Sequence, residues 1–187
     1  KPVLVGEDLM GLKNGDNPHI WYNLNMPTKY VDYLVKRLSK LDKKHAAYFK
    51  ANGKKYLAKV DKIKKLVKTD KSNKKPVFVS EPVFDYALKD MGYKIANRHF
   101  AKATEDGSDP SYSDIKKLQN DIKHKKIAFF VENTQSDSKV ISSIVSLCQK
   151  YDVPVIKVTE TTQNEPNQNK YDAALAKYNT QLDDTEV

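Results

Sequence analysis

The sequence is poor in cysteine and arginine, and it contains no long apolar run. A single cysteine, Cys148, excludes an intramolecular disulfide, and its place on the apolar face of a predicted helix marks it as a small buried residue rather than a nucleophile. No stretch of about 18 apolar residues is present, which argues against a membrane-spanning helix. Glycine-rich phosphate loops, Gly-x-Ser-x-Gly and His-Glu-x-x-His motifs are also missing, so no familiar enzyme signature is found.

Positive charge is abundant but unevenly distributed. The formal net charge is +9, of which residues 1–75 carry +12 and residues 76–187 carry −3. A basic half of this kind suggests a nucleic-acid-binding module built on lysine-rich helices. Against that alternative, arginine occurs only at Arg37 and Arg98, and the aromatic residues follow the apolar side of the predicted helices rather than their basic side.

A stiffened turn presents one of the four histidines. Pro18 fixes its own φ angle and favours an extended Asn17, so His19 follows a constrained backbone. Ile20 and Trp21, the only tryptophan, offer apolar area that would anchor the turn against a core. Metal ligation requires a neutral ring nitrogen on such a rigid backbone, although an ordinary loop histidine fits the same residues.

The first half of the chain is predicted to be mainly helical. Residues 3–5 read as a short strand, residues 28–42 as an amphipathic helix, and residues 43–68 as a long helix that Asp42 caps. The long helix has one apolar seam at alternating spacings of four and three, which is typical of a spine lying along a domain. The seam residues are Phe49, Gly53, Tyr56, Val60, Ile63 and Val67.

The second half alternates between strand and helix patterns. Strands are predicted at 76–80, 93–96, 126–131 and 155–158, helices at 82–91, 111–123, 138–151 and 171–182, and a polar loop at 101–110. This order predicts an α/β fold with a mainly parallel sheet flanked by helices, preceded by the long helix.

Three predicted strands run into a glutamate: Glu81, Glu132 and Glu160. Ligands in open α/β sheets bind beyond the carboxyl ends of the strands, and converging carboxylates repel one another unless a cation lies among them. With His19 they form a donor set suited to manganese and tolerated by zinc. As alternatives, the glutamates cap the following helices, most plausibly at Glu81, or they serve a small metal-dependent hydrolase, for which no nucleophile is evident.

Four phrases of the sequence resemble the metal-binding solute receptors of bacterial manganese and zinc ABC importers. They are NPHIW at 17–21, VSEPVFDY at 79–86, FVEN at 130–133 and the segment from PVI to TET at 154–161. The resemblance implies two α/β lobes joined by a rigid helix, with a four-ligand site for Mn²⁺ or Zn²⁺ in the cleft. It further implies a non-enzymatic protein outside the cytoplasm, attached to the cell membrane through a lipid anchor upstream, that delivers metal to ABC permease subunits.

By this resemblance His19 matches the second metal ligand of the family, Glu81 the third and Glu160 the fourth. Glu132 and Trp21 are expected to support the ligands without binding the ion. His99 is a weaker candidate ligand that could point toward the cleft, whereas His45 and His124 are expected to be solvated.

Two departures from the family pattern stand out. Glu160 replaces the usual aspartate, and the phrase that carries the family's first histidine ligand is missing. The chain also begins at Lys1 within an apparently structured phrase, which suggests a C-terminal portion of the family protein. We therefore expect residues 1–43 to be a remnant of the N-terminal lobe, 44–70 the interlobe helix and 71–187 the C-terminal lobe. Such a chain would bind metal weakly and self-associate through the apolar surface left by the missing lobe.

Overall fold

The computed structural model describes residues 2–69, 75–136 and 138–161. The chain divides into two compact units, Lys1–Ser72 and Asn73–Val187, and each is described by itself. The helix predicted at 171–182 lies outside the described residues. The assignment of the three segments to lobes and spine remains a prediction.

The first unit begins with a helical turn where a strand was predicted. Val5–Met10 forms a π-helical turn that ends at Gly11, whose φ of 75° lies in the left-handed region. The strand prediction at 3–5 is wrong because the local polar groups are satisfied within the turn: the backbone N–H of Leu4 donates to Asp8 Oδ2 at 3.0 Å. A backbone that pairs with its own side chains needs no neighbouring strand.

Two helices form most of the first unit, as predicted. Helix α1 spans Met26–Leu41 with Pro27 in its first turn, where a missing N–H is harmless. Helix α2 spans Ala46–Thr69. Between them Lys43–His45 forms a short 3₁₀ turn, and Asp42 caps it by accepting from the backbone N–H of His45 at 3.2 Å.

The apolar seam of α2 is buried in part. Gly53, Val60 and Val67 are buried, whereas Tyr56 is 50% exposed, so its assignment to the buried seam is wrong. Gly53 lies at a close approach of α1 and α2, because a Cβ atom placed there would come within 2.8 Å of Val35 Cγ2. This close approach explains why a glycine occupies a seam position in a long helix.

The second unit contains the predicted parallel sheet, reduced to three strands. The strands are β1 (Phe78–Val79), β2 (Phe130–Asn133) and β3 (Val155–Val158), in the order β1-β2-β3. Both pairings are parallel. The α/β fold class is therefore confirmed.

Three strand and loop predictions in this unit need correction. The strand predicted at 93–96 is reduced to one parallel bridge between Val77 and Ile95. The strand predicted at 126–131 begins only at Phe130. The loop predicted at 101–110 is wrong in its first half, because helix α4 spans Arg98–Glu105.

The remaining helices are α3 (Asp85–Asp90), α5 (Tyr112–Lys123) and α6 (Lys139–Lys150). The predicted serine cap of α5 is confirmed, since Ser111 Oγ accepts from the N–H of Asp114 at 3.1 Å. Gly92, with φ of 82°, follows the end of α3 as predicted. Pro82 precedes α3 instead of lying in its first turn, so this helix is shorter than predicted.

The helices and strands of the second unit enclose its hydrophobic core. Phe78 of β1 and Phe130 of β2 are register partners and pack in one cluster with Ile144 and Cys148 of α6. Burial raises the pKa of the Cys148 thiol to about 12. A thiol that remains protonated is a poor nucleophile, which confirms that Cys148 serves as a core residue.

Candidate metal centre

The imidazole of His19 is buried and held in a defined orientation. His19 is 5% exposed and precedes the 3₁₀ turn Ile20–Tyr22. Asn17 Oδ1 accepts from the backbone N–H of His19 at 2.9 Å and lies 2.6 Å from Nδ1. Because a carbonyl oxygen accepts hydrogen bonds, this contact favours the tautomer with the proton on Nδ1, in which Nε2 carries the lone pair that a metal requires.

Trp21 contacts the imidazole rather than a core. The two ring centroids are 5.2 Å apart at an interplanar angle of 74°, an edge-to-face arrangement. Trp21 is 45% exposed, so the prediction that it anchors the turn in a core is wrong. The indole instead covers one side of His19, where it limits the motion of the ring.

Glu81 lies two residues after the end of β1 and is buried, with 9% exposure. Its Oε2 accepts a hydrogen bond of 2.5 Å from Asn133 Nδ2, at the end of β2. The backbone N–H of Asn133 also donates to Ser80 Oγ at 2.8 Å. The ends of β1 and β2 are thus joined by two buried hydrogen bonds, one of which is made by the candidate ligand itself.

Glu132 lies within β2 rather than after it. Its register partner on β3 is Lys157. Because side chains alternate along a strand, Glu132 and Asn133 are on opposite faces of the sheet. Glu132 Oε2 is buried without a hydrogen-bond partner among the described residues. The side chain that touches Glu81 is that of Asn133. Asn133 was not predicted as a site residue, although the alternation of side chains along a strand ending in FVEN places it on the opposite face from Glu132.

Glu160 follows β3 and is exposed. Its neighbour Thr161 makes two hydrogen bonds with the side chain of Gln135: the backbone N–H donates to Oε1 at 2.9 Å, and Nε2 donates to Oγ1 at 2.7 Å. The N–H of Thr134 donates to the carbonyl of Val158 at 3.0 Å. The segment that carries Glu160 is thereby attached to the turn after β2.

The other histidines are on the surface. His99, the weaker candidate ligand, is an exposed residue of α4. His45 and His124 are exposed, as expected, and His45 Nδ1 lies 2.6 Å from Asp42 Oδ2. Considered separately, neither unit brings together three or more His, Cys, Asp or Glu side chains in a metal-binding arrangement within its described residues.

One further carboxyl group of the second unit, that of Asp85, is half-buried. Burial raises the pKa of Asp85 from its ordinary value of 3.8 to about 6, although Arg98 acts to lower it and Glu105 raises it slightly. Asp85 Oδ1 has no hydrogen-bond partner among the described residues. Asp85 lies on α3, four residues after Glu81, and belongs to the helix rather than to the ends of the strands.

Comparison with known proteins identifies the family. Residues 5–185 match the family described as ZnuA, zinc-uptake complex component A, periplasmic. The match extends over nearly the whole chain, so the chain belongs to this family.

Curated relatives come from several bacteria. The chain is 31% identical over 131 residues to the metal ABC transporter substrate-binding lipoprotein SloC of Streptococcus mutans, an alignment of 67% of this chain and 42% of that protein. It is 26% identical over 132 residues to the high-affinity zinc uptake system protein ZnuA of Bacillus subtilis, covering 70% of this chain and 40% of that protein. The chain thus spans about two fifths of the length of these relatives.

Solved structures share the fold. The laminin-binding adhesin Lmb of Streptococcus agalactiae, in a mutant form, superposes with a TM-score of 0.66 at 18% identity, covering 91% of this chain and 66% of that one. The periplasmic zinc-binding protein TroA of Treponema pallidum gives a TM-score of 0.64 at 16% identity, covering 93% of this chain and 70% of that one. In the described part of this chain, no helix is both long and apolar enough to cross a bilayer.

Proposed function

We propose that this chain captures Mn²⁺ or Zn²⁺ as a substrate-binding component of a metal ABC importer. The observation that carries the proposal is the family match over residues 5–185, which includes His19, Glu81 and Glu160. The curated relatives named above are a metal ABC transporter lipoprotein and a zinc uptake protein. None of the relatives or structures named above is described as a nucleic-acid-binding protein, so we do not pursue that alternative.

The proposed ligands of the ion are His19, Glu81 and Glu160. One imidazole with two carboxylates is a mixed nitrogen and oxygen donor set that accepts Mn²⁺ as well as Zn²⁺. The buried position of His19 and its contact with Asn17 support its role, because a metal-binding imidazole is usually oriented through its other nitrogen. The metal is cargo, and the protein catalyses no reaction on it.

Titration calorimetry with Mn²⁺ and with Zn²⁺ tests this proposal. We expect a single weak site whose affinity falls about 10–100-fold or more in His19→Ala, by comparison with the loss of supporting residues at metal sites. His124→Ala removes an exposed histidine and is the matched control. Equal affinities in the wild type and in His19→Ala would contradict the assignment of His19.

We further propose that the protein works outside the cytoplasm, attached to the cell membrane, and that it delivers the ion to ABC permease subunits. The description of SloC as an ABC transporter lipoprotein supports this location and these partners. In the same scheme residues 1–43 correspond to part of an N-terminal lobe, 44–70 to the interlobe helix and 71–187 to the C-terminal lobe.

Self-association through the first unit is also part of the proposal. Most of the exposed large hydrophobic residues in the described part of the chain belong to this unit. Of the buried hydrophobic residues in the same part, only Val60 and Val67 belong to it. We define the apolar face as the exposed residues Tyr30, Leu38 and Leu41 of α1 and Tyr48, Tyr56 and Leu66 of α2. A second copy that presents the same face would bury these side chains in a four-helix arrangement.

Light scattering after size exclusion measures this self-association. We expect a dimer that grows with protein concentration and with salt, because salt screens the repulsion between two basic units. Tyr48→Lys should shift the protein toward the monomer, since Tyr48 is 65% exposed on the apolar face. Tyr112→Lys, at a tyrosine 74% exposed on the second unit, is the control and should leave the dimer unchanged. A monomer at every concentration and salt would overturn this part of the proposal.

A further inference from the structure

The end of β2 and the turn that follows it contact both segments that carry the candidate carboxylates of the second unit. Asn133 hydrogen-bonds to Glu81, which follows β1, and Gln135 hydrogen-bonds to Thr161, which is next to Glu160 and follows β3. Because β2 is the central strand, residues at its end can reach the ends of both neighbours. We propose that Asn133 and Gln135 are positioning residues that fix Glu81 and Glu160 for metal binding, an inference that rests on the proposed function.

Asn133 is built into the protein for this role. The residue is 3% exposed, and all four of its polar groups are engaged, since its backbone carbonyl accepts from the N–H of Ser136 at 3.3 Å. Its Nδ2 donates to Glu81, its Oδ1 accepts from the N–H of Gln135 at 3.1 Å, and its own N–H donates to Ser80. The bond to Oδ1 fixes the orientation of the side-chain amide, and the bond to Ser80 fixes the backbone that carries it. The N–H group that faces Glu81 therefore cannot turn away without leaving a buried polar atom unsatisfied.

The consequence for Glu81 is that one carboxylate oxygen is occupied and the plane of the carboxylate is set. Asn133 binds Oε2, whereas no described residue hydrogen-bonds to Oε1. Oε1 therefore stays open to a metal ion, while Asn133 fixes the plane of the carboxylate through Oε2. Hydrogen-bonding partners of this kind at metal-ligating carboxylates typically account for 10–100-fold in metal affinity.

Gln135 acts on the backbone rather than on a carboxylate. Its amide accepts from the N–H of Thr161 and donates to the hydroxyl of the same residue. The pair holds Thr161 at two points and so restricts the backbone next to Glu160. Both hydrogen bonds are exposed, so each contributes less than a buried one, and we expect a smaller change of about 2–10-fold.

Two double-mutant cycles test the inference by metal titration. If Asn133 acts through Glu81, then Asn133→Ala should weaken Zn²⁺ binding in the wild type but have little further effect in Glu81→Gln. Gln135→Ala should likewise lose its effect in Glu160→Gln. The crossed pair Gln135→Ala with Glu81→Gln should be additive in free energy, because the side chain of Gln135 bonds to Thr161 and touches neither Glu81 nor Asn133. Asn120→Ala and Gln149→Ala, at exposed amide residues of α5 and α6, are the matched controls.

The outcomes separate this inference from the proposed function. If Glu81→Gln and Glu160→Gln weaken Zn²⁺ binding but Asn133→Ala and Gln135→Ala do not, the positioning role is overturned and the proposed function stands. Additive effects within the pairs would overturn it as well, because they would indicate a general loss of structure. Should Asn133→Ala fail to fold, the cycle of Gln135→Ala with Glu160→Gln tests the positioning role alone, because Gln135 is exposed.

If the wild type binds no metal, the proposed function fails. Hydrogen exchange in the metal-free protein then tests whether Asn133 holds Glu81 and whether Gln135 holds Thr161. Gln135→Ala should speed exchange of the Thr161 N–H, and Glu81→Ala should speed exchange of the Asn133 side-chain amide, each without affecting the other. Unchanged exchange rates would overturn the positioning role.

Discussion

At the scale of single residues, burial decides what each titratable group can do. Asp85 is the clearest case, because burial raises its pKa from 3.8 to about 6. Between these two values the folded protein holds a proton that the unfolded chain has released. The free energy of unfolding therefore falls as the pH rises from about 4 to about 6, and this loss is complete above that range.

Replacing Asp85 by asparagine should remove this pH dependence. Asn has nearly the same shape and no charge to bury, so we expect Asp85→Asn to be more stable than the wild type at pH 7.5, by about 1–2 kcal/mol after allowance for solvent screening. Urea unfolding between pH 4 and pH 8 measures the difference. Asp90→Asn, at an exposed position of the same helix, should change stability by less than about 0.5 kcal/mol. Parallel pH profiles for the wild type and Asp85→Asn would refute this account of Asp85.

Residue by residue, the sequence predicted burial better than it predicted contacts. Cys148 is in the core and His45 and His124 are on the surface, as their patterns indicated. The contacts of Trp21 and Asn133 were missed, because an aromatic ring that covers a histidine and an amide that binds a carboxylate leave no periodic signal. Only the alternation of side chains between the two faces of β2 indicated Asn133.

At the scale of elements, the contact between α1 and α2 depends on Gly53. A methyl group at this position would come within 2.8 Å of Val35 Cγ2 and 3.1 Å of Val31 Cγ1. A valine in a helix has little rotameric freedom with which to withdraw. The two helices must therefore separate or shift if any side chain is added.

Gly53→Ala should destabilise the first unit even though alanine favours helix formation by about 1 kcal/mol over glycine. Overpacking at a tight contact costs about 1–3 kcal/mol, so we expect a net loss of about 1 kcal/mol in the free energy of unfolding. Adding Val35→Ala should reverse part of the loss, since it removes the atom that clashes. Asn52→Ala, at an exposed neighbour, is the control; a more stable Gly53→Ala would contradict the close approach.

Among the elements, those with strong periodic or capping signals were predicted well. Helices α1, α2, α5 and α6 and strand β3 are near their predicted positions. Helix α4 was missed because its buried side is short, with only Phe100 and Ala101 fully inside, and its remaining turns are stabilised by Lys102 with Glu105 and Asp106. Local ion pairs of this kind leave a polar sequence that resembles a loop.

At the scale of the whole molecule, composition and order of elements predicted the α/β class, and short phrases indicated the family that the comparison then identified. The site could be predicted only as a set of ligand types. Parallel strands direct Glu81 and Glu160 to the same edge of the sheet, which sequence reasoning can anticipate. How Asn17 and Asn133 hold the proposed ligands His19 and Glu81 depends on side-chain packing, which sequence reasoning cannot supply.

The central claim is that one imidazole and carboxylate oxygens bind the ion, and X-ray absorption at the zinc edge of the Zn²⁺-loaded protein tests it most directly. We predict one imidazole and otherwise oxygen ligands at about 2.0–2.2 Å, and loss of the imidazole signal in His19→Ala. A sulfur ligand, or a spectrum that is the same in the wild type and His19→Ala, would contradict the claim.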